Sequence, residues 1–143
     1  MPTTIRSKAW MTAITPFHPA HDKLAELDSR YVQVAQIPWK PTPTPGIDMK
    51  ILMQDEASGL LTALFRWEPG TQLPLHEHVE IEQTYVLSGS IVDDEGEVRE
   101  GDYVWRPRGN RHLARSPGGA LVLSFFLKPN KFLEGAHAGK ELK

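Results

Sequence analysis

Two histidines one residue apart, His76 and His78, followed by Glu80 and Glu82, stand in the stretch HEHVEIE of a chain with six histidines in all. In an extended segment, residues i and i+2 project from the same face. If LHEHV is a strand, His76 and His78 present two imidazoles side by side while Glu77 points away. Neutral imidazole is the commonest protein ligand of zinc, iron, nickel and copper. Glu82 follows closely enough to come round a tight turn and add a carboxylate oxygen. The same residue types also occur on solvated strands, so the spacing alone does not establish a metal site.

The rest of the composition narrows the chemistry. There is no cysteine, which excludes disulfides, thiolate nucleophiles, zinc fingers and iron–sulfur clusters, and leaves only nitrogen and oxygen ligands. The 143 residues carry a net charge of −2 with no clustered basic stripe, giving no electrostatic ground for binding nucleic acid or an acidic membrane. The opening MPTTIRSKAWMTAIT lacks the apolar core of a signal peptide. The longest apolar run, ALVLSFFL (120–127), is too short to span a bilayer. A cytoplasmic protein is expected.

The elements that must position the histidines are short and β-rich. Leu24 and Leu27 behind Asp22, a possible N-cap, suggest a helical turn near the start. From Tyr31 the texture changes to strand-like segments punctuated by glycine and proline: YVQVAQI (31–37), IDMKILM (47–53), LLTALFRW (60–67), IEQTYVL, SIVDD, EVREGDYVW and LVLSFFL. PWKPTPTPG (38–46) reads as an extended connector, because proline cannot donate to a ladder. This spacing predicts an all-β fold, a sandwich or a barrel, with a short N-terminal helical turn. The expected division is an N-terminal extension over 1–30, one barrel domain over 31–130 and a tail over 131–143, the tail glycine-bearing and either a short helix or mobile.

GTQLPLHEHVEIEQTYVLSG (70–89) resembles the first motif of the cupin superfamily, with Gly70, His76, His78, Glu82 and Gly89 at its fixed positions. GDYVWRPRGNRHLARS (101–116) resembles the second, with Gly101, Pro107, Gly109 and His112; Ser116 stands where that motif has asparagine. The resemblance implies a small, rigid antiparallel β-barrel or jelly roll in which His112, from a separate hairpin, joins His76 and His78 to hold one divalent metal ion per chain. Glu82 is then a fourth ligand or a group that orients a ligand or a metal-bound water, and it is the candidate catalytic residue. Fe(II) is favoured, with Zn, Ni or Mn as alternatives. His18, His21 and His137 fit solvated or locally bonded roles better.

Further texture (E-x-T-Y-V-L-x-G, the acidic turn D-D-E-G, then G-D-Y-V) is similar to acetylacetone-cleaving dioxygenases and to the cupin domain of zinc-binding anti-sigma factors. That likeness implies a non-haem Fe(II) dioxygenase cleaving a C–C bond in a small enolisable substrate such as a β-diketone. The alternatives are a metal-binding or small-molecule-sensing module without catalysis, or a metal-dependent isomerase or lyase. Phe65, Trp67, Thr84, Tyr103, Trp105 and Phe126 are the candidates to line the substrate pocket. Arg66 and Arg106 are expected to point outward into solvent. The expected partners are a small-molecule substrate and further copies of the chain, as a homodimer or homotetramer.

Overall fold

The computed structural model describes residues 12–133 and Gly139. Eleven strands form in chain order: β1 (Ala13–Ile14), β2 (Lys40–Pro41), β3 (Ile47–Asp55), β4 (Leu60–Trp67), β5 (Thr71–Glu77), β6 (Glu82–Val92), β7 (Glu97–Arg99), β8 (Tyr103–Arg106), β9 (Arg111–Ser116), β10 (Ala120–Phe126) and β11 (Lys131–Phe132). All pairings are antiparallel, in the order β1-β3-β4-β10-β6-β9-β5-β11, with β2 on β3 and both β7 and β8 on β6. Among the described residues no helix is long and apolar enough to cross a membrane.

Alternation decides which face is inside. In β4, Leu61, Ala63, Phe65 and Trp67 are buried and their neighbours are not; in β10, Val122, Ser124 and Phe126 face in while Phe125 faces out. Leu61, Ala63, Phe65, Trp67, Val122 and Phe126, with Ile47, Met49, Val86, Ile91, Val98, Ala114 and Ala120, make one core. Phe65 and Phe126 meet edge to face at 5.9 Å, a geometry that suits the ring quadrupoles. Each fully buried side chain of this size contributes about 1.5–3 kcal/mol.

The long strand β6 serves two partners on one side. Its first half pairs with β8, Glu82 opposite Arg106 and Tyr85 opposite Tyr103, and its second half with β7. On the other side its register with β10 slips between Leu121 and Val122, across from Leu87, and beyond the slip Gly89 pairs with Ala120. Gly89 has φ 74°, and a Cβ there would lie 2.0 Å from the Gly119 carbonyl oxygen. Only glycine allows that approach.

The N-terminal segment departs from its expected form in two places. The turn is a 3-10 helix, Pro19–Lys23, preceded by His18 rather than capped by Asp22, and Leu27 is exposed. Residues 31–37 do not make a strand: Val34–Gln36 is a second 3-10 turn, closed by Gln36 N–H to Gln33 O and Ile37 N–H to Val34 O. Local bonds there displace the ladder that the alternation suggested. This segment covers the outer face of β3 and β4. Ile37 is buried, Lys50 Nζ donates to Val34 O at 3.0 Å, and Arg66 lies over Trp39 at 4.2 Å while pairing with Asp48. His18, though buried, is bonded locally through Nε2 and Gln33 Oε1 at 2.8 Å. Of the C-terminal tail, Lys131–Phe132 pairs with β5 as a strand. The helix expected further along, like His137, lies outside the described residues.

Candidate metal centre

Strands β5 and β9 place the histidines. His76 and His112 are direct partners across the antiparallel pair, which brings their ring centroids to 4.4 Å. His78 comes one residue past the end of β5. Its position is fixed by the turn that precedes His112 in the second motif: His78 N–H donates to Asn110 O at 2.8 Å, and Gly109 N–H donates to His78 O at 2.7 Å. Gly109 has φ 86°, a conformation glycine adopts without strain. One potential ligand atom from each of His76, His78 and His112 lies within 4.8 Å of the others, and all three residues are buried.

The ring nitrogens are sorted by their outer partners. His76 Nδ1 bonds Pro74 O at 2.8 Å, and His112 Nδ1 bonds Asp93 Oδ2 at 2.8 Å. Nε2 of both rings is left for a ligand, an arrangement that fixes ring orientation around metals. Both ring nitrogens of His78 are buried without an aligned hydrogen bond, although Nδ1 is 2.7 Å from Glu82 Oε2. Buried polar atoms without partners are rare and costly; with Nδ1 against Glu82, a cation would satisfy Nε2.

Electrostatics keeps the site in its ligating form. Burial, then the neighbouring His112 ring, pushes His76 down to about 3. Burial and the charge of Arg106 lower His112, against the pull of Asp93. Both imidazoles are therefore neutral near pH 7, with lone pairs available. Burial alone would raise Glu82, but the nearness of His78 and a hydrogen bond from Thr84 outweigh it and bring the carboxyl to about 2. Thr84 Oγ1 donates to Glu82 Oε1 at 2.8 Å and lies 2.7 Å from Ser124 Oγ. Glu82 is thus an anion engaged on both oxygens, and a donor set of three imidazoles beside one carboxylate fits a divalent first-row metal.

Beside the histidines lies a cavity of about 70 Å³, walled by Phe65, Trp67, Leu73, Val104, Val122 and Phe126, with His76, Glu82, Thr84, Arg106 and His112 among its polar lining. Phe65, Trp67, Thr84 and Phe126 occupy the wall positions expected of them. Tyr103 and Trp105 do not. They stand outside the barrel, 51% and 56% exposed, while the alternate residues Val104 and Arg106 face in. Their shared parity was legible, but the pleat turns the aliphatic set inward. Arg106 is also corrected: its side chain is 11% exposed and pairs with Asp93 Oδ2 at 2.9 Å, whereas Arg66 faces outward as expected.

Three contributors escaped the sequence argument. Asp93 sits in the DDEG turn, where Oδ1 accepts the backbone N–H groups of Glu95 and Gly96 and Oδ2 grips His112 and Arg106. Those partners lower its pKa against the opposing effect of burial. Ser124 supports Thr84 from the facing strand, and Asn130 brings a buried amide oxygen with no hydrogen-bond partner to the cavity wall. The acidic turn was the only signal for Asp93, and turns of that composition are usually read as solvated.

The chain matches the ChrR cupin-like domain family over residues 28–130. No curated protein matches it. Similar solved structures include a protein of Methylibium petroleiphilum PM1 proposed to be an acetylacetone dioxygenase, with 24% identity and TM-score 0.72, covering 83% of this chain and 90% of that one. An acetylacetone dioxygenase from Acinetobacter johnsonii gives 17%, 0.71, 85% and 89% respectively. The complex of Rhodobacter sphaeroides SigE with the anti-sigma ChrR gives 19% and 0.56, covering 66% of this chain and 50% of that one. At these identities the likeness is one of fold. With the family matched across most of its length, the chain is a member of the ChrR cupin-like domain family, built as a cupin barrel with a three-histidine cluster.

Proposed function

We propose that this protein is a metal-dependent cupin dioxygenase that cleaves a C–C bond in a small, enolisable, β-diketone-like substrate. The observation that carries the proposal is three imidazoles, two of them held neutral by burial, at one side of a small and mainly apolar cavity. His76, His78 and His112 would hold one divalent ion, Fe(II) in the favoured case. A divalent metal held there would supply Lewis acidity toward the oxygens of an enolisable substrate, and iron would add redox reactivity toward dioxygen.

The chain's own residues supply the remainder. Phe65, Val122 and Phe126 exclude water from the substrate's apolar body. Glu82 balances part of the metal's charge and steadies His78. With its carboxyl near 2 it is ionised but only a feeble base, so the substrate must arrive enolised or lose its proton under the metal's influence. Asp93, held by Arg106, keeps the His112 ring turned so that Nε2 faces the cluster. The cavity has room for on the order of five water-sized groups, which restricts the organic ligand to a handful of heavy atoms.

The likeness in fold to an acetylacetone dioxygenase and to a protein proposed to be one, extending over more than four-fifths of this chain, supports this reading over a sensing role. Relation to the ChrR domain is the ground for a metal-binding module without turnover, and an isomerase or lyase would use the same cluster without oxygen. The test is elemental analysis of untagged protein combined with oxygen uptake on β-diketones after Fe(II) reconstitution. Iron near one per chain with diketone-dependent oxygen loss is expected, and His76→Ala should abolish both. Zinc held tightly with no oxygen uptake would assign the site to sensing or non-redox chemistry, and full metal retention by His76→Ala would remove the assigned ligands.

A further inference from the structure

Among the described residues that line the mainly apolar cavity, Arg106 is the only arginine or lysine. Its side chain is 11% exposed, and a buried cation is costly unless its charge and its donors are answered. A guanidinium presents its N–H groups as a planar fork that fits both oxygens of a carboxylate. Here one nitrogen, Nη1, meets one oxygen, Asp93 Oδ2, at 2.9 Å, and the guanidinium has no second polar partner among the described residues. Asp93 cannot fill the fork. Its Oδ1 accepts the backbone N–H groups of Glu95 and Gly96, and its Oδ2 is shared between Arg106 and the His112 ring, which uses the roughly four acceptor positions of an ionised carboxylate. Glu82 lies opposite Arg106 in the strand register, but its oxygens are engaged by His78 and Thr84.

We propose that Arg106 receives a carboxylate of the ligand, so that the cavity takes a small enolisable oxo acid with its anionic end on the guanidinium fork and its carbonyl toward His76, His78 and His112. The inference rests on the reading of this cavity as the substrate site, and it narrows the substrate from a neutral β-diketone to an anion of similar size. Acetoacetate, with as many heavy atoms as pentane-2,4-dione, is the simplest member of the class. The guanidinium also borders an outer pocket beside β7 and β8, but Glu95, Glu97 and Asp102 line that pocket and would repel an anion. The cavity side carries no such acidic group beyond Glu82. It is also the side of the cluster, and Arg106 stands near enough for its charge to act on His112. A carboxylate held there would be tied through Arg106 and Asp93 to the His112 ring, so one guanidinium would both support a potential metal ligand and select the substrate.

The experiment is calorimetric titration of the full-length, zinc-loaded protein with acetoacetate, acetoacetamide and pentane-2,4-dione, beside Arg106→Gln and Arg106→Lys brought to the same zinc content. The three ligands match in heavy atoms, and acetoacetate alone carries a charge. The wild type should bind acetoacetate about ten- to a hundredfold more tightly than the amide. Arg106→Gln should cut that ratio by about tenfold or more, and Arg106→Lys, which keeps the charge without the fork, should fall between. If Arg106→Gln fails to fold, the drop in ratio expected of Arg106→Lys carries the test. Were Arg106 only a support for Asp93, its replacement would weaken all three ligands alike, and an unmoved ratio overturns the proposal. So does a wild type that prefers either neutral ligand or binds none of the three. Binding is read here without turnover, so a failure to consume oxygen would remove the dioxygenase reading and leave this result standing.

Discussion

Asp93 shows how much of the candidate centre depends on residues that would never touch the ion. It holds the His112 ring through Nδ1 and is itself held by Arg106 and two backbone amides. Removing such a support usually costs ten- to a hundredfold in metal affinity, and Asp93→Ala should weaken binding by about that factor in a chelator competition, with the fold intact by circular dichroism. Unchanged affinity would mean that packing alone orients His112. A second prediction concerns acid. His76 has a folded pKa near 3 against an ordinary 6.5, so between those values the unfolded chain takes up a proton that the folded chain refuses. Stability from this group is complete above 6.5 and declines as pH falls toward 3; His112, also lowered, acts in the same direction. Metal-free protein should lose roughly 2 kcal/mol by about pH 5, measured as a falling urea midpoint. A midpoint indifferent to pH over this range would contradict neutral, buried histidines.

At the level of elements, the tightest constraint is where β6 passes the turn before β10. Gly89→Ala would drive a methyl group into the Gly119 carbonyl at a positive φ, and should cost about 3 kcal/mol or more. Gly70→Ala, also at positive φ but with nothing within 4 Å, should cost only about 1 kcal/mol. Equal urea midpoints for the two variants would deny the close approach its importance. Both glycines could be marked from sequence by their motif spacing, and so could the three histidines, because i, i+2 spacing on a strand and a fixed turn before His112 are local properties. Other features were beyond local reasoning. Alternation told that Tyr103 and Trp105 share a face but not which face is inner, since Val104 and Arg106 alternate with them and only the pairing with β6 decides. Residues 31–37 alternate like a strand, yet no neighbour receives them, and local turn bonds win. Asp93 could not be tied to His112, because the connection runs across β6 and β9 and not along the chain.

On the scale of the whole molecule, the cavity and the histidine cluster are one construction. The barrel's apolar wall, Phe65 and Phe126 edge to face, leads to the only buried cluster of three potential metal-ligating residues among the described residues. Metal should stabilise the entire domain, because an ion that binds the folded chain and not the unfolded one adds RT ln(1 + [M]/Kd), about 4 kcal/mol at a thousandfold excess over Kd. Chelation should therefore lower the thermal midpoint by several degrees and readdition should restore it; a midpoint that ignores chelation would show that the cluster holds no ion in the folded state. The pairing of His76 with His112 gives this a mechanical side. An ion shared between them would rivet β5 to β9 at the level of their backbone ladder, where β5 is otherwise backed only by the two-residue strand β11. Occupancy would then be written into the amide hydrogens of those two strands, whose exchange should slow on loading far more than that of β3 and β4, so the backbone itself would report whether the barrel is charged with its metal.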